Sequence, residues 1–245
     1  MGAYIDRVKR HFSFSPAELQ GLAIVCLVAA FVFAFDDGQP EFNLTHWLTN
    51  FLGVLILVAI VFFLHESAHK LWALAAGYRA EFKIWPYGIV IAFMAAFLSN
   101  GRFFFLGLGG VWVTDMAVHR LGAFRYGLST FLSTWIAFAG PLLNLALAFI
   151  FQPIHLATGS AMVGMFVKIN LWYAVTSMIP IPPLDGATGF FGGRSTFMLL
   201  LGFVLGAALM IWVAKSFLLM FFGTLIIGLV FWLIYFLTIE KVELH

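Results

Sequence analysis

The sequence predicts an α-helical polytopic membrane protein with about six transmembrane helices and a short strand-containing, partly re-entrant segment between spans 2 and 3. Three observations support this prediction. Hydrophobic residues make up 63% of the 245-residue chain and charged residues only 10%, against about 45–50% and about 25% in soluble domains. Several runs reach the roughly 20 apolar residues that a spanning helix needs. One region, 79–126, is instead rich in β-branched and aromatic residues interrupted by glycine and proline.

Six apolar runs are candidate spans of a single domain, 1–245. The first follows Ser15-Pro16-Ala17-Glu18, where a serine N-cap, a proline at N1 and a glutamate at N3 predict a capping box. We expect this run to be retained, because it is longer than a typical signal-peptide core and lacks a convincing cleavage site. The break near Lys215 predicts a hairpin between the last two spans. In order, the predicted spans are about 16–35, 47–76, 128–152, 161–180, 196–214 and 216–239.

The segment 79–126 does not fit the pattern of a spanning helix. Pro86, Gly88 and Gly101 interrupt it, and a helix over 88–98 would have only about 11 residues, which is short for a span. Strand-like or irregular backbone is tolerated at membrane depth only where it is buried in protein or lines a cavity. We therefore expect strand structure near 80–98 on the cytoplasmic side, with a seventh helix as the alternative.

The distribution of lysine and arginine predicts the orientation. With the N-terminus in the cytoplasm, eleven of the thirteen lysines and arginines fall on that side, as the positive-inside rule requires. The exceptions are Lys215 and Lys168, and we expect Lys168 to snorkel out of the fourth span. The protein is thus predicted to be a multi-pass protein of the cell membrane with both termini cytoplasmic. It has no basic stripe, so we expect no nucleic-acid partner.

The polar stretch His65-Glu66-Ser67-Ala68-His69 lies within the second predicted span. Histidines four residues apart share one helix face, so both imidazoles can bind one Zn²⁺. Glu66 is placed to take a proton from water that the metal activates. Ionisable residues inside membrane helices are costly and indicate a function. At about 1.5 Å per residue, the motif lies roughly 10–20 Å from the cytoplasmic surface.

A catalytic zinc needs a third protein ligand, and Asp185 is the strongest candidate. It ends the stretch 180–186, PIPPLDG, in which the prolines and the final glycine favour a stiff, sharp turn. The alternative is that Asp185 only forms that turn. The other acidic and histidine candidates are Glu81, expected in an exposed strand, Asp115 and His119, expected on a solvated loop face, and His46 and His155, expected across the membrane.

Together these motifs resemble the site-2 protease family of intramembrane zinc metalloproteases. The resemblance covers about residues 50–190 and rests on HESAH, on PIPPLDG, on AGPLLN at 139–144 and on IWPYG at 84–88. It implies one catalytic Zn²⁺ held by His65, His69 and Asp185, with Glu66 as general base. It corresponds to the minimal core of the family, without a PDZ or CBS domain.

One position departs from the family pattern. Ser177 stands where members usually carry an asparagine, eight residues before the aspartate, that is linked to binding of the substrate or its oxyanion. Asn144 and Asn170 are alternatives for that role, although both are also typical interhelical hydrogen-bonding residues. The candidate substrate-binding or oxyanion residues are Ser177, Asn144, Pro86 and Gly88.

The resemblance implies hydrolysis of peptide bonds in or near transmembrane segments of membrane-protein substrates, within the lipid bilayer (regulated intramembrane proteolysis). A strand near 80–98 would hold the unwound substrate by β-augmentation. Two other functions use the same cluster: a metal-ion transporter or channel, and a non-catalytic scaffold stabilised by metal. Convergence of the polar residues on one site, with Glu66 between the histidines, favours the protease. The sequence leaves the oligomeric state open.

Overall fold

The computed structural model describes residues 2–116 and 129–240. Within these ranges the chain is mostly helical, with one small sheet. The elements are, in chain order, α1 (Gly2–His11), α2 (Pro16–Ala34), α3 (Leu44–Ala76), β1 (Tyr78–Ile84), α4 (Pro86–Ser99), β2 (Gly109–Asp115), α5 (Thr130–Thr158), α6 (Ala161–Ser177), α7 (Asp185–Gly192), α8 (Arg194–Val213), α9 (Phe217–Tyr235) and a π-helical turn (Phe236–Glu240).

Five of the described helices are long and apolar enough to cross a membrane: α2, α3, α5, α8 and α9, the last continuing to Glu240. This confirms the prediction of a polytopic helical membrane protein. The predicted span at 161–180 is shorter than expected, because α6 ends at Ser177 after 17 residues, at the lower limit of about 17 for a span. Pro180 follows, and proline disfavours helical backbone in the residue before it. By length and composition, five of the described helices qualify as spans, and α6 lies at the lower limit for a sixth.

The helices form a bundle around α3. Helix α3 packs against α2, α5 and α6, and α8 and α9 pack on each other as a hairpin that contacts α5. The predicted break near Lys215 is confirmed, because α8 ends at Val213 and Ser216 caps α9. Lys168 on α6 is half-buried, with its Nζ 4.1 Å from the centre of the Phe104 ring. Because α2, α5 and α6 all pack on it, α3, which carries the HESAH stretch, is the central helix of the bundle.

The segment after α3 forms a two-stranded antiparallel sheet and a helix. Strand β1 pairs with β2 so that Tyr78 lies opposite Asp115 and Ile84 opposite Gly109. The strand predicted near 80–98 is wrong beyond Ile84, and the alternative given for this region, a helix over 88–98, corresponds to α4. Pro86 occupies the first turn of α4, where its missing N–H and fixed φ favour a helix start. The 14 residues of α4 are too few to span a bilayer.

Gly88 has a packing role in the first turn of α4. A side chain at this position would overlap the backbone of Gly107 and the ring of Trp85. The bare glycine lets the helix start cross the loop that leads into β2. Pro86 and Gly88 therefore shape the path of the chain here, and their proposed contact with substrate stays a prediction.

A buried ion pair covers the outer edge of β1, the edge that faces away from β2. Oε1 of Glu18 accepts hydrogen bonds from the backbone N–H of Phe82, at 2.9 Å, and from Nζ of Lys70, at 2.7 Å. Lys70 Nζ also donates to the backbone carbonyl of Ala80 at 2.9 Å. The predicted capping box explains why Glu18 is held here, since its other oxygen accepts from Ser15 N at 2.8 Å. The ion pair stands where a third strand would otherwise pair.

Replacing Lys70 with methionine is expected to lower the free energy of unfolding by roughly 3–5 kcal/mol, because it leaves a buried carboxylate without its counter-ion. Reversible unfolding in mixed micelles measures the change. Lys83→Met is the matched control, because Lys83 is exposed on the same strand and its Nζ lies 4.5 Å from the Trp112 ring. Such an exposed contact is worth about 0.5–1 kcal/mol. Equal losses for the two variants would contradict the edge-covering role.

Candidate metal centre

Three predicted ligands meet in one buried cluster. Nε2 of His65 lies 3.0 Å from Nε2 of His69 and 3.3 Å from Oδ2 of Asp185, and the remaining pair, His69 Nε2 and Asp185 Oδ2, is 3.5 Å apart. All three side chains are buried, with Asp185 the most accessible at 5%. The chain thus brings together residues from α3 and α7 that are 120 positions apart, in a group that could hold a metal ion.

The cluster fits zinc in both chemistry and size. Two histidines and one carboxylate form a known donor set of catalytic zinc, which keeps its fourth position open. Zinc–ligand bonds of about 2.0–2.1 Å in a tetrahedron separate the ligand atoms by about 3.3–3.4 Å. The three observed separations, 3.0, 3.3 and 3.5 Å, bracket that value. One ion can therefore contact all three ligand atoms with only small side-chain adjustments.

Gly140 on α5 forms one wall of this centre. A Cβ at this position would overlap Nε2 of both His65 and His69. The helix backbone therefore approaches the ligand atoms as closely as a residue without a side chain allows. Only glycine leaves the imidazole nitrogens of the HESAH motif free.

Hydrogen bonds on the far side of each imidazole orient the rings. Nδ1 of His69 lies 2.7 Å from the backbone carbonyl oxygen of Ile136. A carbonyl can only accept, so His69 carries its proton on Nδ1 and turns the lone pair of Nε2 to the centre. Nδ1 of His65 instead faces the side-chain amide of Asn144 at 3.0 Å.

Asp185 is held by the proline-rich turn that the sequence predicted. The backbone N–H of Leu184 donates to the carbonyl of Ile181 at 2.9 Å, and Asp185 begins α7. Gly186 packs so closely on the carbonyl of Met178 that a side chain would overlap it. The turn thereby fixes the backbone on both sides of the carboxylate.

Glu66 lies beside the cluster and is hydrogen-bonded to a residue that sequence reasoning missed. The hydroxyl of Tyr173 on α6 donates to Oε1 of Glu66 at 3.3 Å. The Tyr173 ring also stacks on His65, with ring centres 4.0 Å apart, and on Phe62, at 4.2 Å. The available signal was a tyrosine in an apolar helix, since a buried hydroxyl usually needs a partner.

The remaining candidate residues have other neighbours. The hydroxyl of Ser177 donates to the carbonyl of Ala174 in its own helix at 3.3 Å. Its neighbour Thr176, also missed, accepts from the backbone N–H of Leu106 at 3.2 Å. These contacts do not test the role in substrate or oxyanion binding that was predicted for Ser177 and Asn144, and that role stays a prediction.

The alternative third ligands lie elsewhere. As predicted, Glu81 is exposed on a strand, and Asp115 is exposed at the end of β2. His46 pairs with Asp37 at 3.0 Å, while Nδ1 of His155 donates to the carbonyl of Ser160 at 2.9 Å. His119 lies outside the described residues. Within residues 2–116 and 129–240, His65, His69 and Asp185 form the group that could hold a metal.

Comparison with known proteins identifies the family. A protein of Methanocaldococcus jannaschii named "Putative zinc metalloprotease" is 32% identical over 180 residues, which are 71% of this chain and 84% of that protein. The chain belongs to the site-2-protease-like family of zinc metalloproteases. No family model and no solved structure matches it. Zinc is the metal that this metalloprotease family implies, and the His65, His69 and Asp185 donor set can hold it.

Proposed function

We propose that this metalloprotease hydrolyses peptide bonds in or near transmembrane segments of membrane-protein substrates. The observation that supports the proposal is the burial of a zinc-type donor set and its adjacent glutamate inside a bundle of apolar helices. Helices that are apolar enough to cross a membrane place this centre among segments of the same kind as the proposed substrate. From the excess of lysine and arginine on one side, we propose that both termini and the nearer end of α3 face the cytoplasm.

A zinc ion held by His65, His69 and Asp185 would act as a Lewis acid, lowering the pKa of bound water to about 7 and polarising the peptide carbonyl. Glu66 accepts the proton of the attacking water as a C–O bond forms at the peptide carbon. It then delivers that proton to the departing amine nitrogen as the C–N bond breaks. Tyr173 holds the Glu66 carboxylate through its hydroxyl, so the base is oriented before substrate arrives.

An open groove lies beside the turn that carries Asp185, and we propose it as the path by which substrate reaches the enclosed centre. It has a volume of about 430 Å³, and one wall is formed by Pro183, Leu184 and Ala187, which flank Asp185 in the chain. The other wall includes Val111 and Trp112 of β2. A peptide lying in this groove would run between the sheet and the turn that carries the third ligand.

The free edge of β2 faces outward and has unpaired backbone groups. Residues opposite each other in an antiparallel pair are alternately hydrogen-bonded and not hydrogen-bonded to each other. The N–H of Trp85 donates to the carbonyl of Leu108 at 2.7 Å, so Trp85 and Leu108 are a hydrogen-bonded pair, and every second pair along the ladder is of the same type. By that alternation Val111 and Val113 direct their N–H and C=O groups away from β1. Across residues 2–116 and 129–240, no hydrogen bond to these outward groups is observed. Because Glu18 and Lys70 already cover the β1 edge, β2 is the edge to which we assign β-augmentation by the substrate.

Replacing Val111 and Val113 together with proline removes both outward N–H donors and leaves the β1–β2 bonds in place. Each main-chain bond is worth roughly 0.5–1.5 kcal/mol, so we expect kcat/KM for a single-span substrate to fall roughly 5- to 150-fold. Zinc content should not change. The double variant with threonine at both positions is the control, since it keeps the donors and the β-branched shape. Equal activity of the proline and threonine variants would exclude β2 as the substrate-binding edge.

Cleavage and metal flux measured in the same proteoliposomes separate the protease from a transporter. The proposal predicts cleavage of a reconstituted single-span substrate and no zinc-dependent signal from a dye trapped inside the vesicles. Flux without cleavage would contradict the proposal and favour transport through the His65, His69 and Asp185 cluster.

A further inference from the structure

Asn144 has a buried side-chain amide that contacts the His65 ring at Nδ1, the nitrogen that faces away from the ligand cluster. It lies on α5 and is completely buried, with its Nδ2 3.0 Å from Nδ1 of His65. Its Oδ1 has no hydrogen-bond partner among residues 2–116 and 129–240. A buried amide oxygen without a hydrogen-bond partner destabilises the fold. The single hydrogen bond made by Nδ2 therefore does not account for an asparagine at this position.

The orientation of this amide determines which nitrogen of His65 carries the proton. An amide nitrogen only donates, so with Nδ2 against the ring, Nδ1 must accept and the proton lies on Nε2. Nε2 can then donate to Asp185 or His69, but it cannot bind a metal. With Oδ1 against the ring, Nδ1 keeps the proton and the lone pair of Nε2 points to the centre. The two amide orientations have nearly the same shape.

We propose that Asn144 is a positioning residue that selects the metal-binding tautomer of His65. With metal held by His65, Oδ1 of Asn144 accepts the hydrogen bond from Nδ1–H of His65. This requires the amide to turn about its Cβ–Cγ bond from the orientation in this structure, where Nδ2 lies 3.0 Å from Nδ1. His69 needs no such residue, because the carbonyl of Ile136 allows only one tautomer. This inference rests on the proposed metal site but does not depend on which substrate is cleaved.

The choice of asparagine has a physical reason. A backbone carbonyl or carboxylate would fix one tautomer permanently, whereas an amide can satisfy His65 with and without metal. A carboxylate at this position would also add a negative charge beside Glu66 and Asp185 in an apolar interior, where unpaired charge is costly. The amide provides an acceptor for the metal-bound state without that charge.

The affinity of purified protein for zinc tests the proposal, measured in micelles by competition with a chromophoric chelator. Asn144→Leu keeps the approximate size but removes the acceptor, and Asn144→Asp keeps an acceptor in the same place. Loss of an outer hydrogen-bond partner typically weakens metal binding about 10- to 100-fold. We expect that loss for Asn144→Leu and a change of less than about threefold for Asn144→Asp. Unchanged affinity in Asn144→Leu, or equal loss in both variants, would overturn the proposal.

A second measurement on the wild-type protein does not depend on whether a variant folds. In protein labelled with ¹⁵N-histidine, His65 should show a protonated Nδ1 in the zinc-bound state and a protonated Nε2 without metal. An unprotonated Nδ1 with zinc bound would refute the role of Asn144. If wild type binds no zinc, both this inference and the proposed function fail. If zinc binding depends on Asn144 as expected but no cleavage occurs, only the proposed proteolysis fails.

Discussion

Glu66→Gln is expected to lower the rate of peptide cleavage by roughly 10²- to 10⁴-fold, the contribution typical of a general acid–base group. The amide keeps the size of the carboxylate and can still accept a hydrogen bond from Tyr173, but it cannot take a proton from water. Zinc content should stay at the wild-type value, because Glu66 is not one of the three residues whose ligand atoms converge. Cleavage of a labelled substrate and metal analysis of the same preparation measure both quantities.

Glu81→Gln is the matched control for this variant. Glu81 is exposed on β1, so the same chemical change there should leave cleavage within about twofold of wild type, since exposed substitutions of this kind change free energies by only about 0.5 kcal/mol. If Glu66→Gln retained full activity, another base would have to be found. Loss of zinc in Glu66→Gln would show that this glutamate supports the metal rather than the proton transfer.

Gly140→Ala is expected to abolish zinc binding and, with it, proteolysis. The added methyl group would overlap Nε2 of both His65 and His69, and rigid helix backbone lies behind it. The imidazoles must therefore turn away, which destroys the ligand triangle. Substituting Co²⁺ for zinc gives a visible absorption band that reports tetrahedral coordination. This band should be absent from the Gly140→Ala variant.

Gly53→Ala is the control for this substitution. Gly53 lies on α3, the helix that carries both histidines, and a Cβ there would meet nothing within 4 Å. Alanine has the higher helix propensity by about 1 kcal/mol, so this variant should bind metal normally and be at least as stable as wild type. Normal cobalt binding in Gly140→Ala would show that the close approach of α5 is not required for the centre.

The cluster of candidate ligands could be predicted from the sequence because its parts are encoded by local patterns. Two histidines four residues apart share a helix face whatever the tertiary fold, and the prolines before Asp185 stiffen the turn without outside help. The capping box at Ser15 and Glu18 is equally local and is confirmed by its two reciprocal hydrogen bonds. In each case the deciding interaction lies within a few residues.

The features that the sequence did not reveal depend on partners far away in the chain. Glu18 and Lys70 are 52 positions apart (70 − 18), and only the fold shows that they cover the edge of β1. Tyr173 reaches Glu66 across 107 positions. Helix α4 corresponds to the seventh helix that the sequence offered as the alternative to a strand. The sequence did not decide between the two, because β-branched and aromatic residues also suit a helix in apolar surroundings, where neighbouring elements override intrinsic propensity.

Mapping the cleavage position in proteoliposomes is the sharpest test of intramembrane proteolysis by this protein. A single-span substrate is reconstituted with wild-type protein or with Glu66→Gln, and the products are identified by mass spectrometry. We predict that wild type cuts within or beside the transmembrane segment, that removing zinc stops the cut and restoring zinc recovers it, and that Glu66→Gln produces none. Cleavage by both proteins alike, or cleavage confined to regions remote from the membrane, would contradict intramembrane proteolysis at this centre.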